Sequence, residues 1–226
     1  MPGRKIPLVS GEIYHIINRG LDGRPTFTDK REYKRVLQVI YFYQFNSPPE
    51  RLSKFLLWPI SQQKELLEEM EKSSPRLVEI FSYCLMPNHF HFLLRQVAEK
   101  GIAKFIAQVE NSYTRYFNTR HRRVGLLFLD QFKAVRIESE EQLVHVSRYI
   151  HLNPYSSFVV KSLKDLEKYP WSSLPEFLAP EKGGICQKEM ILNYFKTPEA
   201  YKEFVFDQAD YQRELDQIKH LLSESP

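Results

Sequence analysis

Apolar and polar positions alternate along Glu12–Arg19 (Glu-Ile-Tyr-His-Ile-Ile-Asn-Arg), which predicts a strand. Asp29 followed by Glu32 makes a capping box, and Tyr33, Val36, Leu37 and Ile40 follow at helical spacing until Asn46-Ser47-Pro48-Pro49 breaks the helix. Residues 50–74 form a helix-rich segment around Gln62–Met70 that ends at Ser73-Ser74-Pro75 and has the character of an insertion. Leu77–Leu85 and His89–Arg95 then read as a hairpin, with turn chemistry at Pro87-Asn88 between them. A second long helix covers about Ile102–Asn118, with Ile102, Phe105, Ile106, Val109, Tyr113, Tyr116 and Phe117 on one stripe. Leu126–Ile137 reads as another strand. Ser139 and Gln142 form a second capping box, opening a helix that Pro154 is expected to stop near Asn153.

The order strand, helix, strand, strand, helix, strand, helix predicts an α+β fold: a ferredoxin-like antiparallel sheet with helices packed on it. Residues 1–160 are expected to be the main domain, with a helical insertion at about 47–76. Residues 161–226 are expected to be a C-terminal helical extension, with helical patterns near 187–196, 198–207 and 210–222. Nothing repeats internally.

Composition narrows the class. The chain has 226 residues, 14% of them aromatic, enough to pack a real core. Its two cysteines, Cys84 and Cys186, make neither a disulfide framework nor a zinc spacing, which fits a reducing cytosol. No secretory pattern opens the chain and no apolar run approaches 18 residues, so no membrane span is expected. The net charge of +4 is unevenly spread: residues 1–160 hold 23 Lys+Arg against 16 Asp+Glu, and residues 161–226 hold 9 against 12. A basic main domain suits a phosphate-bearing partner.

The most informative stretch is Met86-Pro87-Asn88-His89-Phe90-His91-Phe92-Leu93-Leu94. On a strand, His89 and His91 share one face, while Phe90 and Phe92 fill the other. Two imidazoles on one face begin a metal site. By itself His-x-His is a weak signal, because two polar residues on a half-exposed strand give the same pattern. It lacks the further histidine and acid of common metallohydrolase runs, so other ligands must come from elsewhere in the chain. The helix that starts at Ser139 offers them. Leu143, Val146 and Ile150 form its apolar stripe, and Tyr149 and Asn153 are an i,i+4 pair along one edge, with His145 a turn further back. A boundary tyrosine and a polar residue at a helix end would produce the same pair without any chemistry.

Four words occur in order: Tyr14-His15-Ile16-Ile17-Asn18-Arg19-Gly20, Tyr83-Cys84-Leu85-Met86-Pro87-Asn88-His89-Phe90-His91, Arg148-Tyr149-Ile150-His151-Leu152-Asn153-Pro154 and Tyr169-Pro170-Trp171-Ser172-Ser173. Together they closely resemble the single-tyrosine HUH transposases, in particular the REP-associated tyrosine transposase (IS200-like) branch. The resemblance covers about residues 10–175, with the segment near 50–74 as extra length.

The resemblance implies that His89 and His91 are the paired metal-binding histidines, that Asn153 is the third ligand, that the ion is Mg²⁺ or Mn²⁺, and that Tyr149 is the nucleophile. Attack by a phenol on a phosphodiester would leave a 5′-phosphotyrosine link and free a 3′-hydroxyl, keeping the bond energy for strand transfer without ATP. A phenol near pKa 10 is ionised only about one part in a thousand at pH 7, so it needs help. The implied substrate is single-stranded DNA beside a foldback hairpin, such as a repetitive palindromic element, in the cytoplasm at the nucleoid. Arg115, Arg120, Arg122 and Arg123, then Lys133 and Arg136, belong to a stretch (104–136) with seven Lys+Arg against two acids, and Arg19 follows the first strand. These are the candidate DNA-binding residues, although a basic helix C-terminus also suits the helix dipole. His15 is expected near the site without ligating, and Trp171 is expected to anchor the tail. Both a monomer and a homodimer remain open. Two other readings stand beside the transposase: a domesticated protein that binds single-stranded or hairpin DNA without cutting it, and a hydrolase that uses water.

Overall fold

The computed structural model describes residues 7–223, with side-chain surroundings as far as Asp216, so the outermost parts of both expected regions (1–6 and 224–226) lie outside the described residues. Four strands, β1 (Ile13–Arg19), β2 (Val78–Met86), β3 (His89–Gln96) and β4 (Lys133–Arg136), form one sheet in the order β2-β3-β1-β4. All three pairings are antiparallel. With α1 (Lys30–Tyr43) between β1 and β2, and α4 (Gly101–His121) between β3 and β4, this is the ferredoxin-like arrangement expected from the element order.

The alternation within β3 divides the molecule into two layers. Phe90 and Phe92 turn to the side of α4, where Phe92 meets Phe105 edge-on (ring centroids 5.9 Å apart) and Phe90 meets Phe128 (5.6 Å). Burying each such ring contributes about 1.5–3 kcal/mol. His89 and His91 therefore open to the other side, where α5 (Glu140–Ser156) lies.

The N-terminal signals of α1 are realised in an altered form. Asp29 caps α1 through the backbone N–H groups of Arg31 and Glu32, but Glu32 reaches past the cap to the N–H and hydroxyl of Thr28, both at 2.7 Å. Residues 47–76 hold two helices, α2 (Leu52–Phe55) and α3 (Ile60–Ser73).

Three expectations need correction. Only residues 133–136 of the expected strand 126–137 pair in the sheet. Leu127 and Phe128 are buried side by side, which a pleat cannot do on one face, and this segment joins β1 by the Leu129 N–H to Arg19 carbonyl bond (2.9 Å). Helix α5 does not stop before Pro154 but runs through it to Ser156. Proline there forfeits only one bond near the helix end, where the Ser157 N–H still closes on the Asn153 carbonyl at 3.0 Å. The tail keeps the expected helices near 198–207 and 210–222 as α9 (Pro198–Phe206) and α10 (Ala209–Ser223), but the one near 187–196 shrinks to α8 (Glu189–Leu192), and two short helices, α6 (Leu163–Glu167) and α7 (Leu174–Leu178), precede it.

The tail also covers the β2 edge of the sheet. Leu85 N–H donates to the Trp171 carbonyl (2.8 Å) and Ser173 N–H to the Tyr83 carbonyl (3.0 Å), so Trp171-Ser172-Ser173 runs beside β2 as a short added strand. An unpaired outer strand invites association, and this segment removes that risk. Trp171 stacks on Tyr33 of α1 with centroids 4.7 Å apart, anchoring the tail as expected.

Candidate active site

The loop ahead of the two histidines is held from several directions. The Gly20 N–H donates to the Asn88 carbonyl (2.7 Å), and the N–H groups of Thr26 and Phe27 donate to the Pro87 carbonyl (2.8 and 3.0 Å). Gly20 cannot carry a side chain here, because a Cβ would run into the Arg24 carbonyl oxygen. The hairpin turn is thereby fixed to the end of β1, and the register places Arg19 opposite His89 and Ile17 opposite His91. Their shared face also takes His15, and Lys133 across β4 opposite Ile17.

Three imidazoles meet on this face. The His15 and His91 rings stack with centroids 5.2 Å apart, and His15 Nε2 meets His91 Nδ1 at 3.0 Å. His89 lies edge-on to His91 at 5.0 Å. Asn88 fixes the tautomer of His89: its amide nitrogen donates to the Gly23 carbonyl (3.2 Å), so its oxygen faces His89 and accepts from Nδ1–H at 2.7 Å. The Nε2 lone pair of His89 is then the one turned outward. Burial keeps all three rings neutral. It pulls His15 down to about 4; His89 also falls to about 4, with help from the Arg19 charge; and His91 falls well below the usual range, with His89 and His15 adding to the effect.

Tyr149 reaches this face from α5. Its ring stands edge-on to His91 (5.8 Å between centroids) and to His15 (5.9 Å). Burial raises its phenol above the usual range, Asp216 of α10 raises it further, and Asn153 pulls the other way. Asn153 is buried, with its amide nitrogen bonded to the Tyr149 carbonyl at 2.8 Å. Helix α10 lies against the same turn: Gln212 Nε2 donates to the Tyr149 carbonyl (3.2 Å) and the Ser156 hydroxyl (3.4 Å). Asp216 follows one turn later on α10 and bears electrostatically on both Tyr149 and His89. Sequence reasoning missed Asp216, because helical spacing within the tail does not say which core helix the tail crosses.

His89, His91, Tyr149 and His15 are thus brought together, with Asn153 beside Tyr149. His145 is not part of the group; it is exposed and bonds Arg148 at 2.7 Å. The donor set suits a divalent cation in part: two neutral imidazoles, at least one with its tautomer fixed by a neighbouring amide, are what such a metal requires. Among the described residues, no group of three or more His, Cys, Asp or Glu side chains is arranged to hold a metal ion, and His15 is turned to His91, so the set seen here is the two imidazoles of His89 and His91.

The candidate DNA-binding residues fall into two groups. Arg19, Lys133, Arg115 and Arg122 are exposed, the first two on the histidine face. Arg120 is committed to Asp29 and to the buried Glu32 (3.1 Å), and Arg123 bonds the Asn118 side chain and the Leu126 carbonyl. Arg136 pairs with Glu12 at 2.8 Å on the opposite face.

His151, in the same word as Tyr149, has a different task. Fully buried, it bridges the Tyr201 hydroxyl and the Ser173 hydroxyl, both at 2.7 Å, and burial drops its pKa to about 3. One proton arrangement satisfies the whole chain: Ser147 donates to Tyr201, Tyr201 to Nδ1, Nε2–H to Ser173, and Ser173 to the Tyr83 carbonyl.

Residues 59–153 match the protein family described as "Transposase IS200 like", a stretch that holds His89, His91, Tyr149 and Asn153. This bears out the resemblance read from the four sequence words. A comparison with curated proteins finds no match. Among solved structures, a REP-associated tyrosine transposase bound to a REP hairpin superposes with a TM-score of 0.55 at 14% identity, over 82% of this chain and 90% of that one. A likeness at that identity speaks for the shared fold. Among the described residues, no helix is long and apolar enough to cross a membrane.

Proposed function

We propose that the chain is a metal-dependent endonuclease and strand transferase for single-stranded DNA, of the transposase kind, with Tyr149 as nucleophile. The observation that carries the reading is the placement of the Tyr149 ring against His91 and His15, on the face that His89 shares. A simple DNA-binding surface has no use for three neutral imidazoles around a buried-side phenol.

Tyr149 Oη attacks phosphorus, the bond from phosphorus to the 3′-oxygen breaks, and the phenol proton passes in net balance to the leaving 3′-hydroxyl. The 5′-phosphotyrosine preserves the phosphodiester, so a 3′-hydroxyl can reverse the step and rejoin strands. His89 and His91 would hold Mg²⁺ or Mn²⁺ through Nε2, with the Asn153 amide oxygen as third ligand. The ion, when bound, supplies Lewis-acid polarisation of the scissile phosphate. His15 accepts from His91 Nδ1–H and keeps that ring facing the substrate. Arg19 and Lys133 extend the same face and attract phosphates, while Arg115 and Arg122 carry contacts further along the strand. Residues up to about 160 carry the chemistry and the tail braces the sheet edge and α5. The substrate is single-stranded DNA with an adjacent hairpin, met in the cytoplasm at the nucleoid.

The test is an end-labelled hairpin oligonucleotide incubated with the protein and Mn²⁺, then run on a denaturing gel. Label carried by the protein, and lost in Tyr149→Phe, is expected. Binding without cleavage would instead indicate a domesticated binder, and cleavage that survives Tyr149→Phe would indicate hydrolysis by water.

A further inference from the structure

On the layer opposite the histidines, α1, α4 and the loop before α2 enclose a cavity of about 890 Å³. That is near the upper end of the range in which small ligands are held. Its charge is strongly of one sign. Arg31, Arg35, Arg51 and Arg115 all line it, and among the described residues no ion pair neutralises any of them. Arg120 also lines it but is held by Asp29 and Glu32, and the acid in the wall, Glu50, already pairs with Lys54 at 3.6 Å.

The floor carries a second, independent signal. Gln108 Oε1 and the Tyr116 hydroxyl, two turns apart on the cavity side of α4, are both buried, and both lack a hydrogen-bond partner among the described residues. Unpaired buried polar atoms are costly, and two in one cavity wall mark a place where a polar ligand completes the bonding. At rest the Arg35 guanidinium lies over the Tyr116 ring, 4.7 Å from its centroid. An anion that draws Arg35 outward uncovers the hydroxyl beneath it.

We infer that this cavity is a second DNA subsite, taking one unstacked nucleotide of a single strand, with its flanking phosphates on Arg31, Arg51 and Arg115 and its base edge against Gln108 and Tyr116. A carbonyl oxygen calls for a donor, so the bases with an exocyclic amine, adenine and cytosine together with guanine, are favoured over thymine. The subsite deepens the proposed function, since it assumes DNA as substrate, but it does not depend on cleavage. It places a strand contact on the face away from Tyr149, so a bound DNA would reach both faces of the sheet.

The experiment uses the full chain carrying Tyr149→Phe, so that no reading depends on strand cleavage. Binding of labelled single-stranded oligonucleotides is followed by fluorescence anisotropy over a salt series. Arg31→Ala with Arg51→Ala, both at exposed positions, is expected to weaken binding about tenfold. It should also flatten the log–log salt dependence by roughly 1.4, at about 0.7 per phosphate. Gln108→Met is expected to abolish the preference for adenine and cytosine over thymine without changing the salt slope. An unchanged affinity and slope in the arginine variant overturns the subsite, and an unchanged base preference in Gln108→Met overturns its base-reading half. Equal affinity for free dAMP and for the oligonucleotide shows a mononucleotide site and overturns the DNA assignment. If this chain binds DNA with these properties while the Tyr149 protein forms no adduct, the proposed chemistry fails and the subsite stands.

Discussion

His15 and His91, on neighbouring strands, meet through Nε2 and Nδ1 at 3.0 Å, which ties the tautomer of one imidazole to that of the other. A His91 that offers Nε2 to a cation must donate from Nδ1, and His15 is placed to receive that proton. Neighbours of this kind typically change metal affinity by about 10- to 100-fold. His15→Phe is therefore expected to weaken Mn²⁺ binding within that range while leaving the fold intact, as measured by titration calorimetry. His15→Gln, which keeps an acceptor, should recover part of the loss. Unaltered Mn²⁺ affinity in His15→Phe would show that the contact is packing alone.

The same buried rings set an acid limit on stability. His15 and His89 fall to about 4 and His151 to about 3, so each stays neutral in the folded chain at pH values where the unfolded chain is protonated. The unfolded state binds more protons below its pKa of about 6.5, so stability is complete above that pH and falls as pH drops toward 4. Each such histidine contributes a loss of about 1.4 kcal/mol per pH unit across that window. Urea unfolding at a series of pH values should show this slope, and His151→Phe should remove part of it.

His151→Phe carries a second expectation. The substitution removes one hydrogen bond from each of the Tyr201 and Ser173 hydroxyls, which keep their bonds to Ser147 and to the Tyr83 backbone, and so cuts the link between α5, α9 and the segment beside β2. Each lost hydrogen bond costs about 0.5–1.5 kcal/mol and the two belong to one buried network, so a loss of about 1–3 kcal/mol is expected. Denaturant unfolding gives the value, and a change under 1 kcal/mol would mean that the network is not a brace.

Asp216 bears electrostatically on the Tyr149 phenol. Its negative charge raises Tyr149 further than burial alone. Asp216→Asn is expected to bring the phenol back toward its ordinary range and to ease the approach of a phosphate, raising the initial rate of adduct formation several-fold. The check is a single-turnover time course; an unchanged or slower rate would show that the carboxylate assists the site.

The parts of this molecule that were legible in the sequence are those with local rules. Alternation at 12–19 and 89–95 gave β1 and β3 nearly to the residue, and two capping boxes placed α1 and α5. The face shared by His89 and His91 followed from the pleat. What could not be seen depends on pairing across distance. Phe128 packs on the Phe27–Tyr113 cluster beside the buried Leu127 while Leu126 stays exposed, so the apolar residues of this stretch report local burial without a regular pleat. The arginines at 120 and 123 have the composition of a DNA track, but Glu32, Asp29, Asn118 and a backbone carbonyl claim them. No local pattern reveals those partners. Ser173, Asp216 and the contact of His15 with His91 stayed hidden for the same reason, each acting on an element far away in the chain.

Mass spectrometry of the protein after reaction with a single-stranded hairpin oligonucleotide and Mn²⁺, followed by nuclease and protease digestion, bears most directly on the central claim. The peptide containing Tyr149 is predicted to carry a 5′-linked nucleotide on the phenol oxygen, with no such mass on any other peptide. Cleaved DNA together with an unmodified Tyr149 peptide, or a nucleotide on a different residue, would contradict the account.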